Sequence, residues 1–433
     1  MHAPTAATQE TGHNTRLDRS LISVLVAVLV LRMASGAMGL MVGLYLKSLG
    51  VTATVVGIFG AAFYVTELIA SPLFGAWTDR YGRKPFMLLG PIFGGVAVLI
   101  TAVTASIPIL LLTRLLEGLS TASSVPSTLS YISDASDHSP RLRARVVSLF
   151  EIVTIGGLAL GGIVGGLLWD HFGRAGFALD ALIYGASLLI FLWGVAAVKE
   201  VAHHDGHHSR LSNYVRLFRD PHLLSFAPAW LAVNAILGVW LNLLPFLMSG
   251  ADTGSTQNLM GGFSGRAIGG ILAALILAFA GGILIWGFRF GHVPRVRAML
   301  WASGGLFLTA GAAWGVNNGP ALDSAAALPF TVALLFGLFL QSGFTPAALG
   351  YLADISARFP KERGAIMGLY SVLLALGQSI GAAAGGRFAD WDGVNGIIIL
   401  SVILGVIATG CVLILRRLPE EMGSVKSGTA GAG

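Results

Sequence analysis

The sequence predicts an all-α integral membrane protein: twelve transmembrane helices in two parallel six-helix repeats. A scarcity of charge, a series of long apolar runs and an internal duplication lead to that class. Of 433 residues, 55% are hydrophobic and only 11% are charged, where a soluble domain carries about 25% charged residues. So few charges cannot solvate a chain of this length in water. A soluble enzyme, a nucleic-acid binder and a disordered regulator are excluded on that ground. The one cysteine, Cys411, stands in an apolar run and reads as a small hydrophobe. It has no second cysteine for a disulfide or a Cys-based metal site.

A membrane-crossing helix needs about 20 mostly apolar residues. Twelve such runs follow one another, near 20–46, 52–77, 84–105, 107–132, 145–168, 175–198, 222–249, 263–287, 296–315, 325–352, 363–388 and 395–416. The first is too long for the apolar core of a signal peptide, so it reads as an uncleaved anchor behind a polar tail, 1–19. Most links are short, so successive helices run antiparallel. The 58 glycines and 16 prolines would weaken soluble helices. In a membrane bundle, small residues let backbones approach closely and neighbours re-satisfy freed carbonyls. A closed β-barrel needs alternating segments of about ten residues, which these continuous runs contradict.

The 27 Lys and Arg residues orient the chain. With the N-terminus in the cytoplasm, 21 fall in cytoplasmic segments, including Arg80, Arg83, Lys84, Arg141, Arg143, Arg145, Arg289, Arg295, Arg297, Arg358, Lys361 and Arg363. Four lie in outer loops (Lys47, Arg174, Arg266, Arg387), and Arg32 and Arg114 lie within spans. This asymmetry predicts a multi-pass protein of the cell membrane with both termini cytoplasmic. It explains the net charge of +6 without nucleic acid.

Residues 131–177 align without gaps on 351–397, an offset of 220, with thirteen of 47 positions identical. Shared apolar composition produces chance Gly and Leu matches. It does not produce Tyr131/Tyr351, Asp134/Asp354, Pro140/Pro360, Arg143/Arg363 and Asp170/Asp390 in register. The offset carries the fifth span onto the eleventh, across an even number of spans, so the halves share one orientation. Parallel repeats about an axis along the membrane normal are a transporter architecture with its site at midplane. The expected division is a bundle at 20–198, a cytoplasmic linker at 199–221, a bundle at 222–416 and a cytoplasmic tail at 417–433. In the linker, Leu211, Tyr214, Val215 and Phe218 oppose Arg210, Arg216 and Arg219 on a helical wheel, which predicts an interfacial amphipathic helix.

Between the second and third spans the chain reads Gly75-Ala-Trp-Thr-Asp79-Arg80-Tyr-Gly82-Arg83-Lys84. This resembles the helix 2–3 signature of the major facilitator superfamily, at the expected place in a chain of two six-helix halves. Gly75 permits close contact and Gly82 a tight reversal. The resemblance implies that Asp79 meets the start of helix 11 and that Arg83 reaches an acid ending helix 4, for which Asp134 is the candidate. Together they would form a cytoplasmic latch. The matching loop of the second half keeps Gly287 and Arg295 but has no acid at the place of Asp79, so the latch is expected to be asymmetric. Arg114-Leu-Leu-Glu117-Gly118 resembles the family's helix 4 signature. Gly157, Gly161, Gly165 and Gly166 resemble its antiporter signature, with Gly162 where that signature has Pro. Those glycines serve close helix packing on either reading.

A charge at bilayer centre costs about 2.5–3.5 kcal/mol on insertion scales and needs a partner or a cavity. Counting about 1.5 Å per residue from the cytoplasmic helix ends puts Glu67 near 15 Å, Arg32 near 18 Å, Glu117 near 22 Å and Arg114 near 27 Å. Arg114 and Glu117 share a helix face, and Arg32 is expected to pair with Glu67 or Glu117. Either acid, beside an arginine that helices can draw away, could exchange a proton with substrate. Glu151 and Asp180 are expected to be interfacial and structural. The second half offers only neutral Asn234, Asn242, Gln341 and Gln378. Trp230, Trp240, Phe246, Phe339 and Phe344 either line a cavity or face lipid. The imidazoles of His203–His208 are read as no metal site, because no carboxylate cluster accompanies them. No Gly-x4-Gly-Lys-Ser/Thr loop occurs, so energy comes from a gradient.

The reading is a secondary transporter, not an enzyme. It would exchange protons for small, fairly apolar compounds, most simply as a monomer in the bilayer with no cofactor. The alternatives are an uptake symporter, a membrane sensor and a membrane enzyme. No sugar-carrier signature follows the sixth span, no soluble domain is present, and no catalytic cluster lies in the spans.

Overall fold

The computed structural model describes residues 18–137, 139–196, 220–250, 255–358 and 363–418, and every regular element among them is a helix. The first half comprises α1 (Arg19–Ser48), α2 (Ala53–Tyr81), α3 (Arg83–Val103), α4 (Ile107–Ala135), α5 (Pro140–Phe172) and α6 (Gly176–Gly194). The second comprises α7 (Pro221–Met248), α8 (Gly265–Arg289), α9 (Arg295–Asn318), α10 (Leu328–Ser342), α11 (Phe344–Arg358) and α12 (Arg363–Arg417). The starts are chemically marked. Asp18 accepts a hydrogen bond from the Leu21 amide at 2.7 Å, and Ser139 caps α5 ahead of Pro140. Asp220 caps α7 ahead of Pro221. Such caps satisfy amides that have no intrahelical partner.

Nine helical stretches among the described residues are long and apolar enough to cross a bilayer. Two of them, Pro140–Gly194 and Gly368–Arg417, fold back on themselves and cross twice. The chain reverses at Gly173 (φ 52°, ψ −128°) and at Gly393 (φ 52°, ψ −131°). These glycines stand 220 positions apart, and only glycine adopts that backbone without strain. α4 falls outside the nine because it carries Arg114, Glu117 and a run of Ser and Thr. It crosses wrapped by α2 and α3, with Ser120 Oγ donating to Gly90 O at 2.7 Å and Ser127 Oγ to Ser123 O at 2.6 Å. The twelve crossings of the sequence reading are therefore present.

The expected single helix at 325–352 is interrupted instead. α10 ends at Ser342, the Gly343 amide donates to Leu340 O at 3.2 Å in a tightened turn, and α11 continues to Arg358. Gly343 lies against the Trp286 indole, where a Cβ would come within 2.6 Å of ring carbons. The tails, the linker with Arg210, Leu211, Tyr214, Val215, Arg216, Phe218 and Arg219, the His203–His208 cluster and Lys361 fall outside the described residues, apart from the residues that begin α1 and end α12.

Within each half, glycine sets how closely helices approach. α5 lies on α1, where a Cβ on Gly157 would meet Leu29 O at 2.7 Å and one on Gly161 would run into Met33 O. The first arm of α12 lies on α7 in the same way, with Gly377 facing Leu231 O at 2.5 Å and Gly381 facing Ala235 O. Other contacts repeat as well. Ser20 and Tyr131 share a hydrogen bond of 2.6 Å, and His222 and Tyr351 one of 2.8 Å. Ile69, Leu73, Leu182, Trp193, Phe288 and Trp391 are exposed, as suits an apolar solvent.

One end of the molecule, here the basic end, carries the starts of α1 and α7 and the turn between α2 and α3. The hydrogen bonds that join the halves among the described residues all lie toward the opposite, far end. They link α2 to α7 and α12, and α5 to α8. The molecule is thus sealed at the far end, while α2 beyond Glu67 is largely exposed toward the basic end.

Overpacking a tight contact costs about 1–3 kcal/mol. Gly161→Val is expected to lower the unfolding temperature in detergent. Gly156→Val, whose Cβ would meet nothing within 4 Å, is expected to leave it nearly unchanged. Equal effects would contradict the packing account.

Candidate functional site

Charged groups collect at three levels. At the far end, Asp170 closes α5 and accepts from the first amides of α8, Gly265 N at 2.7 Å and Arg266 N at 2.9 Å, with Arg266 Nε at 3.3 Å. Asp390 stands at the corresponding place and accepts from the first amides of α2, Ala53 N at 2.6 Å and Thr54 N at 2.9 Å. Each half thereby caps a helix of the other, placing a carboxylate against the positive end of a helix dipole. Glycines allow the approach, as a Cβ on Gly386 would meet Ala53 O at 2.5 Å.

At the basic end, Gly82 (φ 93°) turns α2 into α3. The turn sets Arg83 in the first position of α3, where it donates to Asp79 through Nη1 and to Asp134 Oδ2 through Nε at 3.0 Å. Burial alone would lower the Arg83 pKa, but its two carboxylate partners outweigh that and hold it above the ordinary value. Lys84 Nζ closes the end of α6, donating to Leu192 O at 2.8 Å and Val195 O at 2.6 Å. Arg80 lies over the Tyr81 ring at 5.2 Å. Asp79 is largely exposed, and its ion-pair partner is Arg83. The expected contact of Asp79 with the start of the eleventh span, which is the start of α12 here, falls at and beside 359–362, outside the described residues. In the second half, Arg295 faces Asp354 at 3.8 Å.

Between these levels lie Arg32, Glu67, Arg114 and Glu117. Arg114 and Glu117 are both buried and form a direct ion pair through Nη1 and Oε2. The guanidinium also sits 5.4 Å from the centroid of the Phe63 ring, a cation–π contact. Gly118 brings α4 against α2 there, since a Cβ would meet Phe63 O at 2.6 Å. The expected pairing of Arg32 is corrected. Glu117 is already taken by its neighbour on the same helix face. Arg32 and Glu67 are half-buried and feel each other's field without an ion pair within 4.0 Å. Tyr184 and Glu151 are the other groups in electrostatic reach of Arg32.

The second half answers these charges with neutral groups. Asn234 faces Gly377 as Arg32 faces Gly157, and its amide donates to Trp230 O at 2.8 Å. Asn242 crosses between the halves to Tyr64 OH at 3.4 Å. The aromatic question left open by the sequence is resolved for Trp230. It stacks between Phe344 (6.2 Å) and Tyr370 (4.8 Å) and donates to Tyr370 O, so it is core and not lipid-facing. Phe246 is buried beneath Lys47 Nζ at 4.9 Å.

Two features escaped the sequence reading. Asp180, expected to be interfacial, is 0% exposed, because α6 turns it inward from the fourth residue after its start. The role of Asp170 and Asp390 as caps was also missed, although their identity in the duplication was a signal for it.

The sequence profile of the Major Facilitator Superfamily matches residues 24–338 and again 261–432. Multidrug resistance protein 1 of Bacillus subtilis (strain 168) is 24% identical over 362 residues, 80% of this chain and 84% of that protein. Quinolone resistance protein NorA of Staphylococcus aureus (strain MRSA252) is 28% identical over 181 residues, 42% of this chain and 44% of its own. Among solved structures, the nucleoside transporter NupG superposes with a TM-score of 0.76 at 12% identity, covering 93% of this chain and all of the other. That likeness shows the fold.

Removing one partner of a buried ion pair costs about 3–5 kcal/mol. Arg114→Gln, which strands the Glu117 carboxylate, is expected to depress thermal stability clearly, whereas Glu67→Gln removes no direct partner and is expected to have little effect. The comparison is a melting series in detergent, and a reversed order would refute the assignment of partners.

Proposed function

The chain belongs to the Major Facilitator Superfamily, and on that premise we propose that it exports small, fairly apolar compounds from the cytoplasm in exchange for protons. The halves rock about the midplane so that the interior opens to one side at a time. The observation that carries this reading is the concentration of ionisable groups in one half: Arg114 and Glu117 in direct contact, Arg32 and Glu67 apart. A static structural pair has no reason to leave a second acid and base unjoined in an apolar medium. A pair that closes when Glu67 is ionised and opens when it is protonated couples proton binding to helix movement. The resistance relatives support export, and the neutral, aromatic second half suits an apolar substrate.

The remaining features follow from that cycle. The basic residues favour a cytoplasmic basic end with both termini inside, in a cell-membrane protein that works as a monomer embedded in lipid. The division into a first bundle at 20–198 and a second at 222–416 makes each half a rocking body. The Asp79–Arg83–Asp134 cluster, with Arg80, Gly82 and Lys84 around it, serves as the inner latch; Gly75, expected to permit a close helix contact, makes none, since a Cβ there would meet nothing within 4 Å. Asp170 and Asp390 serve as the outer one.

The coupling test is extrusion of ethidium, a lipophilic cation, from proteoliposomes under an imposed pH gradient. Glu67→Gln and Glu117→Gln are each expected to reduce gradient-driven movement at least tenfold with insertion unchanged. Full activity in both would remove the proton reading. For the outer latch, loss of a helix cap costs about 0.5–2 kcal/mol. The double variant Asp170→Asn with Asp390→Asn is therefore expected to label a cysteine placed at Asn242 several-fold faster from the far side. An unchanged rate would exclude the latch.

A further inference from the structure

We propose that Asp180 is a proton-carrying residue of the transport cycle and passes its proton to Glu117. The inference rests on the proton-coupled reading above and extends it to a residue outside the family signatures quoted for this chain.

Asp180 is completely buried, and neither of its carboxylate oxygens has a hydrogen-bond partner. Buried polar groups are almost always paired, and an unpaired buried charge is costly. A carboxyl kept in such a place either holds a proton or gains a donor as the helices move. Its neighbours on the same face of α6 are tied. Tyr184, one turn on, donates to Ser35 Oγ at 3.3 Å, and Ser187 donates to Ala27 O at 2.9 Å. Both are buried, so the untied group on this face is the acid. α3 presses against the same face through Gly94, where a Cβ would strike the Tyr184 ring.

The acceptor is equally specific. Glu117 gives Oε2 to Arg114, while its Oε1 is buried with no partner. Glu117 is the charged group in electrostatic reach of Asp180. Tyr184 feels Asp180, Glu117 and Arg114, and Arg32 of α1 reaches Tyr184 in turn. Counted from the far ends of their helices at about 1.5 Å per residue, Asp180 lies about 6 Å deep, Tyr184 12 Å, Glu117 15 Å, Glu67 21 Å and Arg32 24 Å. Asp180, Tyr184 and Glu117 thus descend in order from the far end, and Glu67 and Arg32 share the deepest level. In the transfer, the O–H bond of the Asp180 carboxyl breaks, a water molecule entering between the two carboxyls takes that proton while giving up one of its own, and a new O–H bond forms on Glu117 Oε1. Asp180 is left as a carboxylate until it takes a proton from the far side, and Arg114 is released from its charged partner.

Infrared difference spectroscopy on the purified protein reads this directly. A protonated-carboxyl C=O band at neutral pH is expected in the wild type. It should be lost in Asp180→Asn, shifted in Glu117→Gln and regained in Asp180→Glu. In ethidium proteoliposomes, Asp180→Asn is expected to reduce gradient-driven movement at least tenfold and to flatten its pH profile, with Asp180→Glu restoring both. A band that survives Asp180→Asn, or full coupling in that variant while Glu67→Gln and Glu117→Gln lose theirs, overturns the role of Asp180 and leaves the proton reading standing. Full coupling in all three overturns both. The infrared result needs no substrate. The wild-type band and its shift in Glu117→Gln decide the matter alone if ethidium is not moved or Asp180→Asn does not fold.

Discussion

A bare charge in hydrocarbon is expensive, and the placement of nearly every polar group in this protein follows from that. Most basic residues sit where water and headgroups reach them. Those that enter the bilayer are met by an acid or an aromatic face. Arg114 has all of its answer nearby, in Glu117 on the next turn and in the Phe63 ring. Arg32 and Glu67 meet each other's field across a gap, with Glu151 and Tyr184 also in reach of Arg32. In the proposed cycle, the difference between a satisfied pair and an unsatisfied one separates scaffold from moving part.

Glycine contacts make that arrangement mechanically possible. Gly157 and Gly161 hold α5 close against α1, and Gly377 and Gly381 hold α12 close against α7, which suits the proposed rocking of each half as a unit. Between the halves close glycine contacts recur, and carboxylate caps are added to them. Gly162 and Gly269 meet backbone to backbone, and Asp170 and Asp390 cap amides of the opposite half. Such caps are worth little individually in solution terms.

Much of the fold was legible in the sequence because a bilayer imposes a length and a polarity on every crossing. The runs, their number and the duplication needed only composition and spacing. Gly173 and Gly393 lie where the offset requires, and the superfamily resemblance drawn from residues 75–84 is met by the profile match over most of the chain. The break at Gly343 was not legible, because a glycine inside an apolar run looks the same whether it packs or turns. Which acid Arg32 faces was not legible for a related reason. Depth along a helix can be counted, but which way a side chain turns depends on the rotation of the helix, and that is fixed by neighbours such as Gly118. The burial of Asp180 was not legible for the same reason: its distance from the helix end could be counted, but not the rotation of α6 that turns it inward.

The central claim is that the protonation of acids in the first half decides which end of the molecule is open. Pulsed electron–electron resonance tests it most directly, in a Cys411→Ser background. One label pair spans the basic end at positions Tyr81 and Phe288, and a second spans the far end at Val103 and Leu328, all exposed positions on α2, α8, α3 and α10. Changing pH is predicted to move the two distances in opposite senses, and the double variant Glu67→Gln with Glu117→Gln is predicted to abolish the response. Distances that ignore pH, or that respond equally in the double variant, would contradict the account.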